Sequence, residues 1–159
     1  MTRDHLEQVM EIERASFPTP WTTSMFLYEL TSPLSFHFVA SKRENRSDIV
    51  LCYIIFWMFR GEVHILNLAT HSAFRKLGIA HSLLLFTLDF CYRRGGILYL
   101  LEVRKGNRTA INLYQKVGFA SWGFRKKYYA DTGEDAIIMG LFYGDQAYGT
   151  KGDEQTLLP

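Results

Sequence analysis

One turn and three separate side-chain groups in this sequence carry chemistry. The turn is Arg75-Lys76-Leu77-Gly78-Ile79-Ala80-His81, which follows the apolar run Leu66-Asn67-Leu68-Ala69-Thr70 and opens a long amphipathic stretch. A helix that starts there presents unpaired N–H groups and the positive end of its dipole, a ready site for a phosphate. Gly78 lets the backbone approach an anion closely, small Ala80 nearly so, and Arg75 and Lys76 add charge. The plainer alternative is a helix start with solvated basic residues. The turn lacks the Gly-Lys-Ser/Thr of a P-loop and the three glycines of a dinucleotide fingerprint.

Glu102 sits among Leu98, Leu100, Leu101 and Val103. A carboxylate there is costly unless it is paired or put to use; pairing would be with Arg104 or a basic residue on another strand. Tyr114 shares a helix face with Ala110, Ile111 and Val117, as a core aromatic would. Tyr128 and Tyr129 follow Arg125-Lys126-Lys127, which also reads as a strand end beside a solvated basic patch.

Hydrophobic periodicity supplies the elements that hold these residues. Helices are expected over Arg3–Phe17, Thr22–Leu30, Lys76–Arg93 and Asn107–Val117, from apolar residues at spacings of three and four and from caps at Thr22 and Asn107. Strands are expected over Phe36–Ser41, Ile49–Phe59, Glu62–Thr70, Ile97–Val103, Phe119–Tyr129 and Ala136–Tyr143, with a charged turn at Lys42–Asp48 and a hairpin turn at Arg60-Gly61. Ile97–Val103 is apolar on both faces, which predicts a central strand covered by helices on both sides. The fold class is α/β in the mixed α+β sense: a central mixed sheet flanked by helices. Residues 1–143 form a single domain, and residues 144–159 a loose polar tail.

Composition narrows the classes. With 159 residues, 48% hydrophobic and 21% charged, the chain is an ordinary globular domain rather than a disordered one. A formal net charge of +2 gives no support to a dedicated nucleic-acid binder. The longest apolar run, Ile49–Phe59, is too short to cross a membrane, and no secretory signal opens the chain. Cys52 and Cys91 lie in apolar runs and read as buried free thiols, which fits a reducing cytoplasm. His5, His37, His64, His71 and His81 show no metal-ligand spacing and read as structural or exposed, so no metal is expected.

Arg75-x-x-Gly78-x-Ala80 after an apolar strand resembles the acetyl-CoA signature of the GNAT acetyltransferase superfamily. Leu100-Leu101-Glu102-Val103-Arg104 with Asn107, then Leu113-Tyr114-Gln115-Lys116-Val117-Gly118-Phe119, Tyr128-Tyr129 and Glu134–Met139, resembles its RimI-type branch, the ribosomal-protein alanine N-acetyltransferases. So does Phe17-Pro18 with Trp21. The resemblance runs from about Ile12 to Met139. It implies acetyl-CoA as co-substrate, with pantetheine beside Leu68, Ala69 and Thr70, pyrophosphate on the turn Arg75, Lys76, Leu77, Gly78, Ile79, Ala80 and His81, and Asn107 as a side-chain contact. It implies Glu102 as a general base, directly or through water, and Tyr114 as the acid that protonates the departing thiolate. It also implies a slot for a protein N-terminus, in that branch a ribosomal protein, formed with Trp21, Tyr128 and Tyr129. A GNAT acting on lysine or a small amine, or a silent acyl-CoA-binding module, are the competing readings.

The sequence departs from the superfamily pattern at its start, where only Met1 and Thr2 precede the first helix. The usual first strand is expected to be missing or truncated, which leaves a sheet edge open. Thr70, Ser72, Gly106 and Thr109 also differ from residues frequent in the branch, and none removes a group the chemistry needs.

Overall fold

The computed structural model describes residues 1–44 and 47–143. The expected polar tail lies outside the described residues. After a 3-10 turn at Arg3–His5 come α1 (Leu6–Ser16), α2 (Thr23–Thr31), β1 (Ser35–Glu44), β2 (Ser47–Phe59), β3 (Glu62–Thr70), α3 (Ile79–Tyr92), β4 (Leu98–Arg104), α4 (Arg108–Lys116), β5 (Ala120–Tyr129) and β6 (Glu134–Phe142). The strands form one sheet in the order β1-β2-β3-β4-β6-β5. Only β3 and β4 pair in parallel; every other neighbouring pair is antiparallel, so the sheet is mixed, as expected, and mostly antiparallel.

Local chemistry accounts for the joints. Arg60 and Gly61 both take positive φ (50° and 85°), the pairing that lets a tight hairpin follow the strand twist between β2 and β3. Thr22 caps α2 by accepting from the Met25 N–H, and Asn107 caps α4 by accepting from Ala110. Gly118, at φ 101°, ends α4 and turns the chain toward β5.

Two cores lie on opposite faces of the sheet. On one, Leu84, Leu88 and Cys91 of α3 with Ile111 and Tyr114 of α4 pack on Ile54, Phe56, Ile65 and Leu101. On the other, Val9 and Ile12 of α1 and Phe26 of α2 pack on Tyr53 and Ile55. Cys52 and Cys91 are buried and unpaired, as expected. Burial pushes their thiols up to about 11 and about 12, so both stay protonated and neither is a ready nucleophile. No helix among the described residues is long and apolar enough to cross a membrane.

Three expectations need correction. The segment Lys42–Asp48 is mostly strand, because the β1·β2 register runs on to Glu44 opposite Ser47 after a bulge at Ala40/Ser41. Helix α3 starts at Ile79 rather than Lys76, because Lys76 and Gly78 take positive φ. Strand β4 is not covered on both sides: Tyr99, Leu101 and Val103 are buried while Leu98, Leu100, Glu102 and Arg104 stay partly open. Helices α1 and α2 pack chiefly over β1 to β3, so the second face of β4 floors an open trough. No strand precedes α1 among the described residues; at the outer edge of β1 the Met1 nitrogen donates to the His37 carbonyl at 3.0 Å.

Candidate active site

Strands β3 and β4 are hydrogen-bonded only from Glu62 and Leu98 to Ile65 and Leu101. Both continue, to Thr70 and Arg104, yet beyond Ile65 they part. The cause is local. The β2·β3 register slips so that Phe56 faces Ile65 while Ile55 faces Asn67, which makes Leu66 the extra residue of a bulge. A bulge bends and twists its strand. The stretch Leu66 to Thr70 therefore borders a slot in which backbone N–H and C=O groups on the β4 side lack strand partners and call for others. An arm that carries amide groups fits such a wall.

β3 leads through a 3-10 turn at Ser72–Phe74 into the basic turn. There Lys76 (φ 64°) and Gly78 (φ 79°) are left-handed, which turns successive N–H groups inward as an anion-binding concavity. The first helical bond of α3 runs from Ser82 N–H to the Gly78 carbonyl, so the N–H groups of Ile79, Ala80 and His81 have no helical partner. No side chain caps them. A Cβ built on Gly78 would meet nothing within 4 Å, so the space above the turn is open. Backbone donors at the positive end of a 14-residue helix fit a pyrophosphate. The slot and the turn together fit coenzyme A.

The hydrogen bonds of Arg75 run away from the turn. Its Nε donates to the Thr70 carbonyl (3.2 Å), and its Nη2 donates to the Ala15 carbonyl (3.3 Å) and Ser16 Oγ (3.0 Å). The guanidinium ties the turn to the end of α1. Asn107 uses its Oδ1 on the α4 cap (3.1 Å), and its side-chain nitrogen makes no hydrogen bond among the described residues.

Glu102 faces the trough beside the mouth of the slot. Its Oε2 lies 2.6 Å from His64 Nε2 on β3, and its Oε1 3.2 Å from Arg125 Nη2 on β5. Arg104 instead binds Asp131 (2.7 Å) and Glu134 (3.5 Å) and stacks 3.9 Å from the Tyr129 ring centre. Burial, against the pull of Arg104, pushes the Tyr129 hydroxyl up to about 12. Tyr114 packs edge-on against Phe119 at 5.7 Å and is buried. Its hydroxyl has no hydrogen-bond partner among the described residues. Burial raises its pKa well above the usual tyrosine value, and nearby Tyr129 and Cys52 raise it further. Behind it, Thr70 Oγ1 donates to Cys52 Sγ at 3.4 Å.

Two loops flank the trough and are tied to each other. Thr19, between α1 and α2, donates to Asp131 Oδ2 at 2.6 Å, and Arg104 reaches the same oxygen. These two bonds hold the Asp131 carboxyl down to about 2. On the α2 side, a cavity of about 410 Å³ is lined by Trp21, Met25, Tyr28, Trp57 and Leu66, with Glu29 among them.

The Acetyltransferase (GNAT) family model matches residues 6–119. The chain is a GNAT acetyltransferase. It is 35% identical to the N-alpha-acetyltransferase RimI of Mycobacterium tuberculosis over 152 residues, 91% of each chain. It is 30% identical to the ribosomal protein bS18-alanine N-acetyltransferase of Haemophilus ducreyi over 138 residues, 85% of this chain and 92% of that one. The crystal structure of the ribosomal-protein-S18-alanine N-acetyltransferase from Escherichia coli superposes with a TM-score of 0.79 at 25% identity, covering 99% of this chain and 96% of that one. As a GNAT enzyme, the protein is an acetyl-CoA-dependent N-acetyltransferase.

This GNAT domain sets Glu102 beside His64 and Arg125, stacks Tyr129 on Arg104 of the same β4 strand as Glu102, and packs Tyr114 against Phe119, with Leu68 and Ala69 along the slot and Gly78 to His81 at its far end. The Trp21 ring packs on Phe26 at 5.4 Å, and Tyr128 and Tyr129 lie on β5 with their rings edge-on to each other. The sequence alone reads His64 as structural or exposed and Arg125 as part of a solvated basic patch, and gives no sign of the Thr19–Asp131–Arg104 tie. The period-two pattern of β3 does put His64 on the face opposite Val63 and Ile65, but only the parallel register of β3 on β4 sets it beside Glu102.

Proposed function

We propose that this enzyme acetylates the α-amino group of a protein chain that begins with alanine, in the cytoplasm, and that its substrate is a small-subunit ribosomal protein like that of its relatives. The observation that carries the reading is the position of Glu102, where the β3/β4 slot opens into a trough with tied flanking loops. An internal lysine brings chain on both sides of itself, whereas a terminus brings chain on one side only. A trough whose two banks are joined favours the terminus.

Leu68, Ala69 and Thr70 hold the pantetheine arm through their backbone. The N–H groups of Leu77 to His81 hold the pyrophosphate, with Lys76 beside them and Asn107 donating through its side-chain nitrogen. Acetyl-CoA supplies a thioester: the amine forms the N–C bond as the C–S bond breaks and coenzyme A leaves as thiolate. Trp21, Tyr128 and Tyr129 wall the peptide. A terminal amine has a pKa of about 8, so roughly a tenth is already neutral at pH 7. Glu102 draws off the remaining proton through water. Tyr114 stays neutral and donates toward the sulfur. Because its pKa is raised, it is a weaker acid than the thiol, near pKa 8.5. Its part is therefore a hydrogen bond that stabilises the thiolate rather than complete proton transfer.

The test is steady-state turnover with acetyl-CoA and two peptides of the same sequence. A peptide with a free alanine terminus is expected to turn over, and one blocked at its terminus but carrying internal lysine is not. Equal or faster turnover of the blocked peptide overturns the assignment.

A further inference from the structure

Every turnover of an ammonium substrate takes two protons off one nitrogen. One ends on the coenzyme A sulfur, and the other must leave for solvent. Glu102 is badly placed to release it alone, since its side chain is only 13% exposed. His64 is better placed. Its Nε2 is 2.6 Å from the Glu102 carboxylate, while its ring is 36% exposed and its Nδ1 makes no hydrogen bond among the described residues. The ring thus joins a nearly buried carboxylate to water. Imidazole is also the side chain that changes charge most readily near neutral pH.

We propose that His64 is the proton sink of the transfer reaction. This rests on the reading of Glu102 as the acid–base group. In the resting pair, the neutral ring donates Nε2–H to the Glu102 carboxylate. The proton that Glu102 draws from the substrate ammonium through water is handed on through water to Nδ1. The ring becomes imidazolium beside a carboxylate that has regained its charge, and the amine is left neutral with a free electron pair. The imidazolium then gives the Nδ1 proton to bulk water, which restores the pair. The charged groups around it are few. Across the sheet Arg125 holds the other Glu102 oxygen. On β2, Trp57 lies opposite His64 and donates its indole N–H to Glu29 of α2 at 2.7 Å. Glu62, two residues earlier on β3, is exposed.

His64 acts through Glu102 and water rather than by touching substrate, so the test needs readouts that a purely structural role would leave unmoved. The pH dependence of kcat/KM for an alanine-terminated peptide is compared in wild type, His64→Gln and Glu102→Gln, with melting curves and acetyl-CoA affinity as controls. Glutamine keeps a donor toward Glu102 but cannot take up a proton. The expected result for His64→Gln is a loss of about tenfold, below the range for a positioned base itself. The shape of the pH profile should change as well, because glutamine cannot take up a proton. In His64→Ala, added imidazoles should restore rate, and more basic imidazoles should restore it faster. Should His64→Gln keep both rate and profile while Glu102→Gln is crippled, the sink is refuted and Glu102 acts alone. Should Glu102→Gln also keep its rate, the reading of Glu102 falls as well. Rescue that is indifferent to imidazole basicity would mark His64 as a space-filler and overturn the proposal.

Discussion

The two ends of the slot are built from different materials. At the α3 end the available groups belong to the backbone: the left-handed turn at Lys76 and Gly78, and the unpaired N–H groups of Ile79 to His81. At the trough end they belong to side chains from different strands: His64 on β3, Glu102 on β4, Arg125 on β5. The difference follows from the ligand. A pyrophosphate is charged throughout and asks for fixed donors that approach closely, which a helix N-terminus supplies without moving. A transferred proton asks for groups that change charge near neutral pH, and only side chains do that. Affinity for acetyl-CoA should therefore depend on the first end, and turnover on the second.

The sharpest division is expected at Tyr114. Tyr114→Phe keeps the ring that packs on Phe119, so folding and acetyl-CoA affinity should hold. What is lost is one hydrogen bond to a charged sulfur, worth about 1.5–3 kcal/mol, or about 10–100-fold in kcat. Turnover measured beside a melting curve checks this. A rate within about threefold of wild type would remove Tyr114 from the transfer centre, since the loss of that hydrogen bond should cost at least about tenfold.

Gly78→Val should do the reverse, raising the dissociation constant for acetyl-CoA while leaving kcat at saturation nearly unchanged. A β-branched residue at φ 79° is strained even though its Cβ meets no protein atom. The strain is ~1–2 kcal/mol, about a tenfold loss of affinity if the turn opens to relieve it. If the turn stays closed, the valine occupies the space a phosphate would enter. Calorimetry that finds unchanged affinity in a folded variant would break the contrast between the two ends.

The same difference decides what was legible in the sequence. A backbone site leaves a linear signature, because glycine at position 78 and a small residue at 80 are needed where a helix begins. The elements were legible too, since β3 was bounded at Glu62 and Thr70 by its alternation and a turn at Arg60-Gly61. The trough was not. Leu98 and Leu100 are apolar, and from sequence that predicts burial; they floor an open surface because α1 and α2 stop over β3. His64 looked like any solvent-facing strand residue, because its partner lies 38 positions away and is set by a parallel register that no local pattern encodes. Arg75 is ambiguous: its place in the motif suggests a phosphate contact, while its three hydrogen bonds run to Thr70, Ala15 and Ser16.

Arg75 is for that reason where the smallest effect on binding is expected. If the backbone does the work at this end, Arg75→Ala should leave acetyl-CoA affinity within about threefold of wild type, less than one charge-assisted hydrogen bond is worth. The turn would instead lose its tie to α1. Its three hydrogen bonds are exposed, so a combined cost of about 1 kcal/mol is expected, which lowers the melting temperature by about 2–4 °C in a domain of this size. Salt sharpens the distinction. A guanidinium that met the pyrophosphate would make affinity fall with ionic strength more steeply in wild type than in the alanine variant. A guanidinium bound to two carbonyls and a hydroxyl gives the two proteins parallel salt dependences. Calorimetric titration at low and high salt, with melting curves alongside, separates the cases. A tenfold loss of affinity that shrinks at high salt would move Arg75 into the phosphate site and make the α3 end a side-chain site as well.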